Sequence, residues 1–409
     1  MSQPALRLVH ASDLHLERPL YGLAEIPEYL RELLRDAPYR AATQVFDTAL
    51  TENADAVLLA GDVVDISRAG PRAIVYLREQ FERLRAREIT VYWAGGVSDP
   101  PDAWPPAAPL PDNVVVFPVG RVEQYELKRG SEIIVRVQGT SVGESGVATS
   151  TGFHRDANGR FTVGVAYGTN EAPGREGDRV HYMALGGRHR RATVDTEPGI
   201  AHYCGTTQGR CPDEAGPSGC TVVQVDEQAQ AKTRFVSTDV VRFVEETLEV
   251  TATTTREQLL ERLDERIDKL RAKSQGVDLL VTWTIRGAGP LVNQLRPGGI
   301  TPKLLADLRG RAGRQTPAIW SVDLRCDVPA YTADEWHDQD NILGDLLRQF
   351  KQFHQTPELG LALDQFFPAG LREKSLLALG DVAAGQEREL LLEEAKKFGL
   401  DLVTKPVTV

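Results

Sequence analysis

The sequence predicts an α/β fold built on a mixed sheet. Over residues 1–225 short apolar runs alternate with longer helical patterns, and the early β-α-β-α-β order is typical of layered α/β domains. A later series of apolar runs follows without intervening helices, which favours a sheet with both parallel and antiparallel strands. After residue 238 the spacing of apolar residues changes twice, so a small second domain and a helical third region are expected.

The elements of the first predicted domain, 1–238, follow from apolar spacing. Predicted strands lie at 6–9, 56–60, 90–94, 114–117, 133–137, 161–167, 182–185, 200–204 and 221–225. Helical spacing of apolar residues predicts helices at 24–36, 38–52 and 71–87. The stretch 99–112 is too rich in proline for regular structure, and it predicts a surface loop.

Residues 239–328 predict a small second domain with the order β-α-β-α-β. Thr255 and Gln258 form a capping box at the start of its first helix, which has Leu259, Leu263, Ile267 and Leu270 on one face. Pro302 stands at the first position of its second helix, where a proline costs no hydrogen bond. The domain is therefore expected to have two layers.

Residues 329–409 predict a helical C-terminal region. Apolar residues share one face of a first helix, at Ile342, Leu346, Phe350 and Phe353. A last helix at 386–398 carries Leu390, Leu391, Ala395 and Phe398. Such stripes either cover the chain's own core or bind a partner helix, and the pattern alone leaves both interpretations open.

Composition is that of a soluble globular protein, with 41% hydrophobic and 26% charged residues. No apolar run approaches the roughly 18 residues that a membrane-spanning helix needs. The N-terminal segment lacks the basic and apolar parts of a secretory leader and predicts a strand instead. A cytoplasmic location is therefore expected.

The net charge of −11 works against long-range attraction to nucleic acid. Contact with DNA would then need a local basic patch, and the best candidate combines Arg188, Arg190, Arg191 and Arg210. A short basic run of this kind is more often a solvated turn. Both interpretations stay open on sequence alone.

Four cysteines stand at 204, 211, 220 and 326, without a CxxC pair. The first three are close enough in sequence to suggest a zinc site, but their spacing fits no common zinc motif. Reduced, structurally incidental thiols are the better interpretation for a cytoplasmic chain.

Candidate metal ligands follow three of the predicted strands. They are Asp13 and His15 in a DLH triplet, Asp62 in a GD pair, and His189 in a GGRH turn. Carboxylates and imidazoles at strand ends are suitable ligands for a borderline or hard divalent cation. Each motif alone is weak evidence for a metal site. Their occurrence in this order along one domain makes the evidence stronger.

The ordered motifs resemble those of the calcineurin-like metallophosphoesterases, which run DxH, GD, GNHD, a strand ending in His, and GHxH. More narrowly the chain is similar to SbcD-type DNA repair exonucleases of the YhaO group. The supporting stretches are HASDLHLERPL, LLAGDVVD, LPDNVVVF, MALGGRHRR and YCGTTQGRCPDEAGPSGC. The resemblance implies a sandwich of two mixed sheets with helices outside (α/β/β/α). By architecture, residues 239–328 resemble the family's capping domain.

The resemblance also implies two adjacent metal ions, usually manganese. The first ion would be held by Asp13, His15 and His189, with Asp62 bridging to the second. Three residues stand where the family's other ligands to the second ion would be, namely Val97, Tyr167 and Gly187. Ser98 stands at the position of the catalytic His, whereas Asp99 of the same motif is present.

These replacements predict a half-degraded centre with one divalent ion, which the resemblance implies is manganese. Val97 has no lone pair, Gly187 has no side chain, and a neutral phenol is a poor ligand. Loss of one transition-state donor alone typically costs on the order of 10²–10³ in rate. The expected function is a weakly active or inactive subunit that acts on DNA ends with an SMC-like coiled-coil ATPase of the YhaN/SbcC type, and that could form a homodimer. The alternative is an active one-metal phosphodiesterase or exonuclease.

A third class, a sugar-phosphate phosphatase on the same fold, is disfavoured because the predicted capping domain and C-terminal helices have no role in it. An adjacent gene for a coiled-coil ATPase would separate the first class from this one. A hydrolysis assay would separate the first class from the second.

Overall fold

The computed structural model of the chain describes residues 4–143, 146, 152–168, 179–197, 199–251, 253–287, 290–295, 299–327, 337, 340–356, 361 and 385–404. Contacts divide the chain into two compact units. Unit 1 comprises Met1–Leu248, Glu257–Thr284 and Pro297–Arg325, and unit 2 comprises Glu249–Arg256, Ile285–Arg296 and Cys326–Val409. The predicted domain boundaries at 238 and 328 stay a prediction.

Twelve strands and two α-helices are found among the described residues up to 238. In chain order they are β1 (Leu6–Ala11), α1 (Glu28–Thr51), β2 (Ala56–Ala60), α2 (Pro71–Arg85), β3 (Thr90–Ala94), β4 (Val114–Val116), β5 (Glu123–Arg129), β6 (Glu132–Gly139), β7 (Thr162–Tyr167), β8 (Tyr182–Gly186), β9 (Ala192–Asp195), β10 (Ile200–Tyr203), β11 (Gly219–Val225) and β12 (Ala231–Ser237). The predicted loop at 99–112 contains one short 3₁₀ turn, Pro101–Ala103, and no strand.

These strands form two mixed six-stranded sheets, as predicted. The first has the order β12-β11-β1-β2-β3-β4, and the second has the order β5-β6-β7-β8-β10-β9. Strands β1 to β4 run parallel, as do β6, β7, β8 and β10, while the outer strands β11, β12, β5 and β9 pair antiparallel. Parallel neighbours end at the same edge of their sheet, and this edge carries the candidate site.

The two sheets pack face to face around a shared core. Alternate residues of β2 and β3 point inward, such as Leu58 and Tyr92, and meet Val163 and Tyr182 of the second sheet. The intervening residues of the first sheet, such as Leu59, pack beneath helices α1 and α2. The run AVLLA of β2 is buried throughout, because both faces of a central parallel strand are covered.

Helix α1 corrects the prediction of two helices at 24–36 and 38–52. It is one helix, Glu28–Thr51, that continues through Pro38. A proline inside a helix removes one backbone hydrogen bond, which is why the sequence suggests a break there. In the structure Leu34, Ala37, Pro38 and Ala41 are all buried, so packing on both sides of the proline keeps the helix continuous.

The sequence also missed three strands, β5, β9 and β12. Each lies at the outer edge of its sheet. Most of their residues are exposed or half-buried, so they carry no strong apolar run. Edge strands of this kind give little hydrophobic signal, whereas the central strands were predicted close to their observed bounds.

The predicted β-α-β-α-β elements of the second domain are present, with one additional short helix. They are β13 (Val241–Val250), α3 (Arg256–Lys273), β14 (Asp278–Gly287), α4 (Pro290–Gln294), α5 (Thr301–Ala312) and β15 (Ile319–Asp327), and the sheet order is β13-β14-β15. The predicted apolar face of α3 is buried, at Leu259, Leu263, Ile267 and Leu270.

Unit 2 contains two long helices that contact each other, α6 (Ile342–Gln355) and α7 (Gln386–Thr404). Leu347 and Leu392 are buried, and Gly399 of α7 lies against Leu346 of α6. By contrast Ile342 remains 74% exposed. The predicted stripe is thus partly used within the helix pair. The rest of the predicted region 329–409 lies outside the described residues. None of the described helices is long and apolar enough to cross a membrane.

Candidate metal centre

The candidate ligands meet where parallel strands of both sheets end. Asp13 and Asp62 directly follow β1 and β2 of the first sheet, and His189 follows β8 of the second. The loops are interlocked, because the backbone N–H of Asp13 donates to the Gly61 carbonyl at 3.0 Å. The backbone N–H of His15 donates to the Asp62 carbonyl at 2.9 Å.

Three of these residues have a left-handed backbone. The φ values are 53° at Asp13, 48° at His15 and 51° at Asp62. Residues other than glycine rarely adopt this conformation, which costs roughly 1–3 kcal/mol each and persists only where the surroundings enforce it. A strained backbone at three of the four converging ligand candidates is typical of a functional site rather than of an ordinary set of turns.

The side chains of Asp13, His15 and His189 bring their ligand atoms within 4.8 Å of one another. The Nε2 atoms of His15 and His189 are 3.2 Å apart, and each lies 3.8–3.9 Å from Asp13 Oδ1. Asp62 Oδ2 completes the group at 3.8 Å from His15 Nε2. Two ligands about 2.1 Å from one ion lie roughly 3.0–3.4 Å apart in octahedral or tetrahedral geometry, so the imidazoles are already spaced for a shared cation.

The electrostatics of the group also suit a cation. Burial raises the pKa of Asp13 to about 6, although the hydrogen bond from Ser12 opposes the shift. Burial lowers the pKa of His15 to about 2, and the positive charge of Arg210 adds to this effect. A carboxylate that is costly to ionise and an imidazole held neutral are both stabilised when a divalent ion binds between them.

Glu214 is a site residue that the sequence analysis missed. Its Oε1 lies 2.7 Å from Nδ1 of His189, and this hydrogen bond raises the pKa of His189. Carboxylates in this position orient a metal-binding imidazole and fix which nitrogen carries the proton. Glu214 ends a short turn, Pro212–Glu214, inside the CPDEAG stretch already noted, but no spacing rule linked it to His189.

Arg210 is buried beside the same pair. Its Nη2 lies 3.4 Å from Glu214 Oε1 and 3.3 Å from Nδ1 of His189. The predicted basic patch is therefore divided. Arg188, Arg190 and Arg191 are exposed, whereas Arg210 faces the interior of the centre and holds Glu214.

Tyr167 lies where the resemblance would place a ligand to a second ion. Its hydroxyl donates to Asp62 Oδ2 at 2.7 Å. Burial and the Asp62 charge raise the pKa of Tyr167, so the phenol stays neutral. The other oxygen of Asp62 accepts the backbone N–H of Ser98 at 2.8 Å. Both oxygens of the carboxylate expected to bridge two ions thus have protein donors.

The Tyr167 ring fits a cradle of three glycines. A Cβ atom at Gly61 would lie 2.5 Å from the ring, and one at Gly96 or Gly187 would lie 3.1 Å from it. Gly187 has a φ of 89°, and its N–H donates to Asp13. Val97, by contrast, is 60% exposed. Of the three positions that the resemblance assigns to a second ion, Tyr167 and Gly187 are joined in one packed arrangement, and Val97 stands apart.

Asp99 fixes the geometry of these loops. Its oxygens accept N–H groups from the backbones of Asp62, Val63 and Gly96 and from the indole of Trp93. Burial and the neighbouring Asp62 raise the pKa of Asp99 to about 8. The three backbone N–H donors oppose that shift, because a protonated oxygen would turn its proton toward a donor.

Cys204, Cys211 and Cys220 are buried free thiols. Among the described residues the metal-compatible cluster is that of Asp13, His15 and His189, and no cluster contains a cysteine. The interpretation of these cysteines as incidental thiols stays a prediction.

Sequence comparisons agree with this geometry. Residues 6–153 match the calcineurin-like phosphoesterase family, and residues 243–329 match the middle domain of metallophosphoesterase YhaO. The chain thus contains a calcineurin-like metallophosphoesterase domain and a YhaO middle domain. Over 336 residues it is 26% identical to the uncharacterized metallophosphoesterase YhaO of Bacillus subtilis (strain 168), which covers 78% of this chain and 81% of that protein.

Solved structures resemble the chain more distantly. An archaeal phosphodiesterase is 10% identical with a TM-score of 0.27, over 56% of this chain and 100% of that chain. Vacuolar protein sorting 29 from Cryptosporidium parvum is 14% identical with a TM-score of 0.24, over 57% of this chain and 97% of that chain. We draw nothing about the site from these two likenesses.

Metallophosphoesterases use divalent metal ions, and the donor set described above fits one. Asp13, His15 and His189 would hold it, with Asp62 beside them. When bound, such an ion polarises a phosphoryl oxygen and lowers the pKa of a bound water. Glu214 would orient His189 toward it, and Asp99 would hold the Asp62 loop in place.

We expect one tightly bound divalent ion per chain, because one group of four donors converges in the described residues. Elemental analysis after purification in manganese should approach one ion per monomer, and Asp13→Asn should abolish it. Two ions in the wild type would mean that other residues replace the missing ligands, and none would mean that the group is vestigial.

We expect Glu214→Gln to weaken metal binding by about 10- to 100-fold, since it removes the charge that orients His189. Titration of the apo protein with manganese measures the change. Asp213→Asn is the matched control, because Asp213 is the exposed neighbour of Glu214. Equal affinities in the Glu214 variant and the wild type would exclude the orienting role.

Proposed function

We propose that this chain is a DNA-binding subunit of an SbcD/YhaO-like complex that acts on DNA ends. Its centre would hold a single manganese ion and hydrolyse phosphodiesters weakly or not at all. The family comparisons support the general class of YhaO-like metallophosphoesterase. The DNA substrate, the lost second ion and the partner are proposed here.

The hydrogen bond from Tyr167 to Asp62 carries the proposal. Two-ion hydrolysis needs a carboxylate free to bridge ions about 3.5–4 Å apart. Here Asp62 Oδ2 accepts the Tyr167 hydroxyl at 2.7 Å, and the phenol ring occupies the space between Gly61 and Gly187. A neutral phenol in this space is a poor substitute for the family's imidazole ligand.

A second candidate function is an active one-ion phosphodiesterase. The same hydrogen bond favours it, because a hydroxyl that donates to Asp62 beside the ion could instead donate to a departing oxygen. Ser98 stands at the position that the family uses for its catalytic His. Its backbone N–H donates to Asp62, the carboxylate that also accepts the Tyr167 hydroxyl. Hydrolysis assays separate the two candidates.

We expect little or no manganese-dependent digestion of linear duplex DNA by the isolated chain. The wild type and Asp62→Asn should release acid-soluble nucleotides at similar, near-background rates. Robust digestion by the wild type that disappears in Asp62→Asn would contradict the proposal of a degenerate centre and would support the active one-ion phosphodiesterase.

The combined variant Val97→Asn, Ser98→His, Tyr167→His and Gly187→His should gain a second manganese ion and measurable phosphodiesterase activity. The changes at 167 and 187 must be made together, because a side chain at Gly187 would otherwise meet the Tyr167 ring. Tyr21→His, at a 58% exposed position, controls for the added imidazole. A folded combined variant with one ion would show that the positions are misassigned or that the space has closed.

The helix pair of unit 2 is the proposed contact with the SMC-like ATPase. Leu390 and Phe398 of α7 are 62% and 67% exposed, an unusual exposure for large apolar side chains. An amphipathic helix with such residues suits helix-in-groove binding. Leu346, Phe350 and Phe353 of α6 are half-buried. They belong to the apolar stripe whose spacing suggests a partner helix.

Leu390→Asp with Phe398→Asp should abolish co-purification with a coiled-coil ATPase encoded by an adjacent gene. Manganese binding by unit 1 should persist, which shows that the chain is folded. Glu389→Lys changes charge at an exposed position of the same helix and should leave the complex intact. Survival of the complex in the double variant would refute this assignment.

A further inference from the structure

A cavity of about 380 Å³ lies beside the metal centre, between the loop after His15 and helices α1 and α2. Four arginines line it, Arg18, Arg31, Arg35 and Arg72, together with one carboxylate, that of Glu17. The whole chain carries a net charge of −11, so four guanidinium groups around one cavity depart sharply from its average surface. The lining suits an anion.

Nearby carboxylates match these arginines in number, and Arg18 is already paired with the buried Asp65 at 3.0 Å. Arg72 and Arg35 share a single carboxylate, Asp36, whose Oδ1 lies 2.9 Å from Arg72 Nη2 and 3.6 Å from Arg35 Nε. Arg31 pairs with Glu28, but both side chains are mostly exposed, and pairs of this kind contribute little. The ion pairs of Arg31 and Arg35 at the mouth of the cavity are thus exposed to solvent, so an entering anion can replace their carboxylate partners.

The floor of the cavity is apolar and aromatic. Leu34 and Pro38 of α1 are buried there, and the Tyr39 ring lies against the Arg72 guanidinium at 4.0 Å. The Tyr39 hydroxyl donates to Glu17, which fixes the ring. Flat guanidinium and phenol groups above an apolar floor are the usual surroundings of a stacked nucleobase, and cations at the rim bind its phosphate.

Arg18 connects this cavity to the metal centre. Its backbone N–H donates to the His15 carbonyl at 3.0 Å, and its guanidinium donates to Asp65 at 3.0 Å. A cavity-lining cation thus stands three positions after a metal-ligand candidate and is hydrogen-bonded to its backbone.

We propose that this cavity binds a nucleoside 5′-phosphate, with the phosphate on Arg31 and Arg35 and the base against the Arg72 guanidinium, which covers the buried Tyr39 ring. The ligand is either a free nucleotide or the terminal nucleotide of a DNA strand that reaches the metal centre. The strand-end form rests on the proposed function, whereas binding of the free nucleotide does not.

Binding of deoxyadenosine 5′-monophosphate to the full chain in the presence of EDTA tests the proposal, because chelation excludes binding through a metal ion. Arg31→Ala with Arg35→Ala should raise the Kd at least tenfold, and deoxyadenosine without phosphate should bind at least tenfold more weakly than the nucleotide. Both arginines are about two-thirds exposed, at 64% and 66%, so the variant should fold. Arg121→Ala, an exposed arginine paired with Glu123, is the matched control.

Asp62→Asn should leave this Kd unchanged, which separates the cavity from the metal centre even if the centre proves inactive or the proposed function fails. A 5′-phosphorylated single-stranded oligonucleotide that binds more tightly than the mononucleotide, and loses this advantage in the double variant, would identify the strand end as the ligand. Tighter binding of the mononucleotide would identify the free nucleotide. Equal affinities of the wild type and the double variant, or no binding at millimolar nucleotide, would overturn the proposal.

Discussion

The Asp99 carboxylate holds together the loops on which the candidate centre depends. It accepts four N–H groups, from Asp62, Val63, Gly96 and Trp93. Burying an unpaired carboxylate would cost several kcal/mol, and these donors offset that cost while tying the loop after β2 to the loop after β3. Asp62 can therefore keep its left-handed backbone and face His15, although Val97 and Ser98 in the loop after β3 differ from the motif that the resemblance implies.

The Tyr167 ring and the glycines around it form one packed arrangement. The close approach of the ring to Gly61 and Gly187 leaves no room for side chains there, so the phenol and the glycines depend on each other. Replacing one of them alone would produce a clash or a cavity. Because of this interdependence, a single substitution at Tyr167 or at one of these glycines is a poor probe of the centre.

The sequence predicted the parts of the molecule whose signal is local. Central strands such as β2 are buried on both faces and read as uninterrupted apolar runs, and the ligands Asp13 and Asp62 stand directly at their ends. Signals that depend on tertiary structure were missed. Glu214 is 25 residues from His189 in sequence, and only the fold brings the two together. The edge strand β9 has no apolar face to detect, and Pro38 concealed a continuous helix.

That continuous helix has a consequence for thermodynamic linkage. With 24 residues α1 is about 36 Å long, and its two ends belong to different apolar clusters. Leu30 and Leu34 pack with Phe243 and Trp320 of the third sheet, whereas Phe46 packs beneath the first sheet. The same first turns carry Arg31 and Arg35 of the cavity. A molecule that binds the third sheet and displaces α1 would change the affinity of the cavity for its ligand. By reciprocity, a ligand in the cavity would change the affinity of the third sheet for that molecule by the same factor.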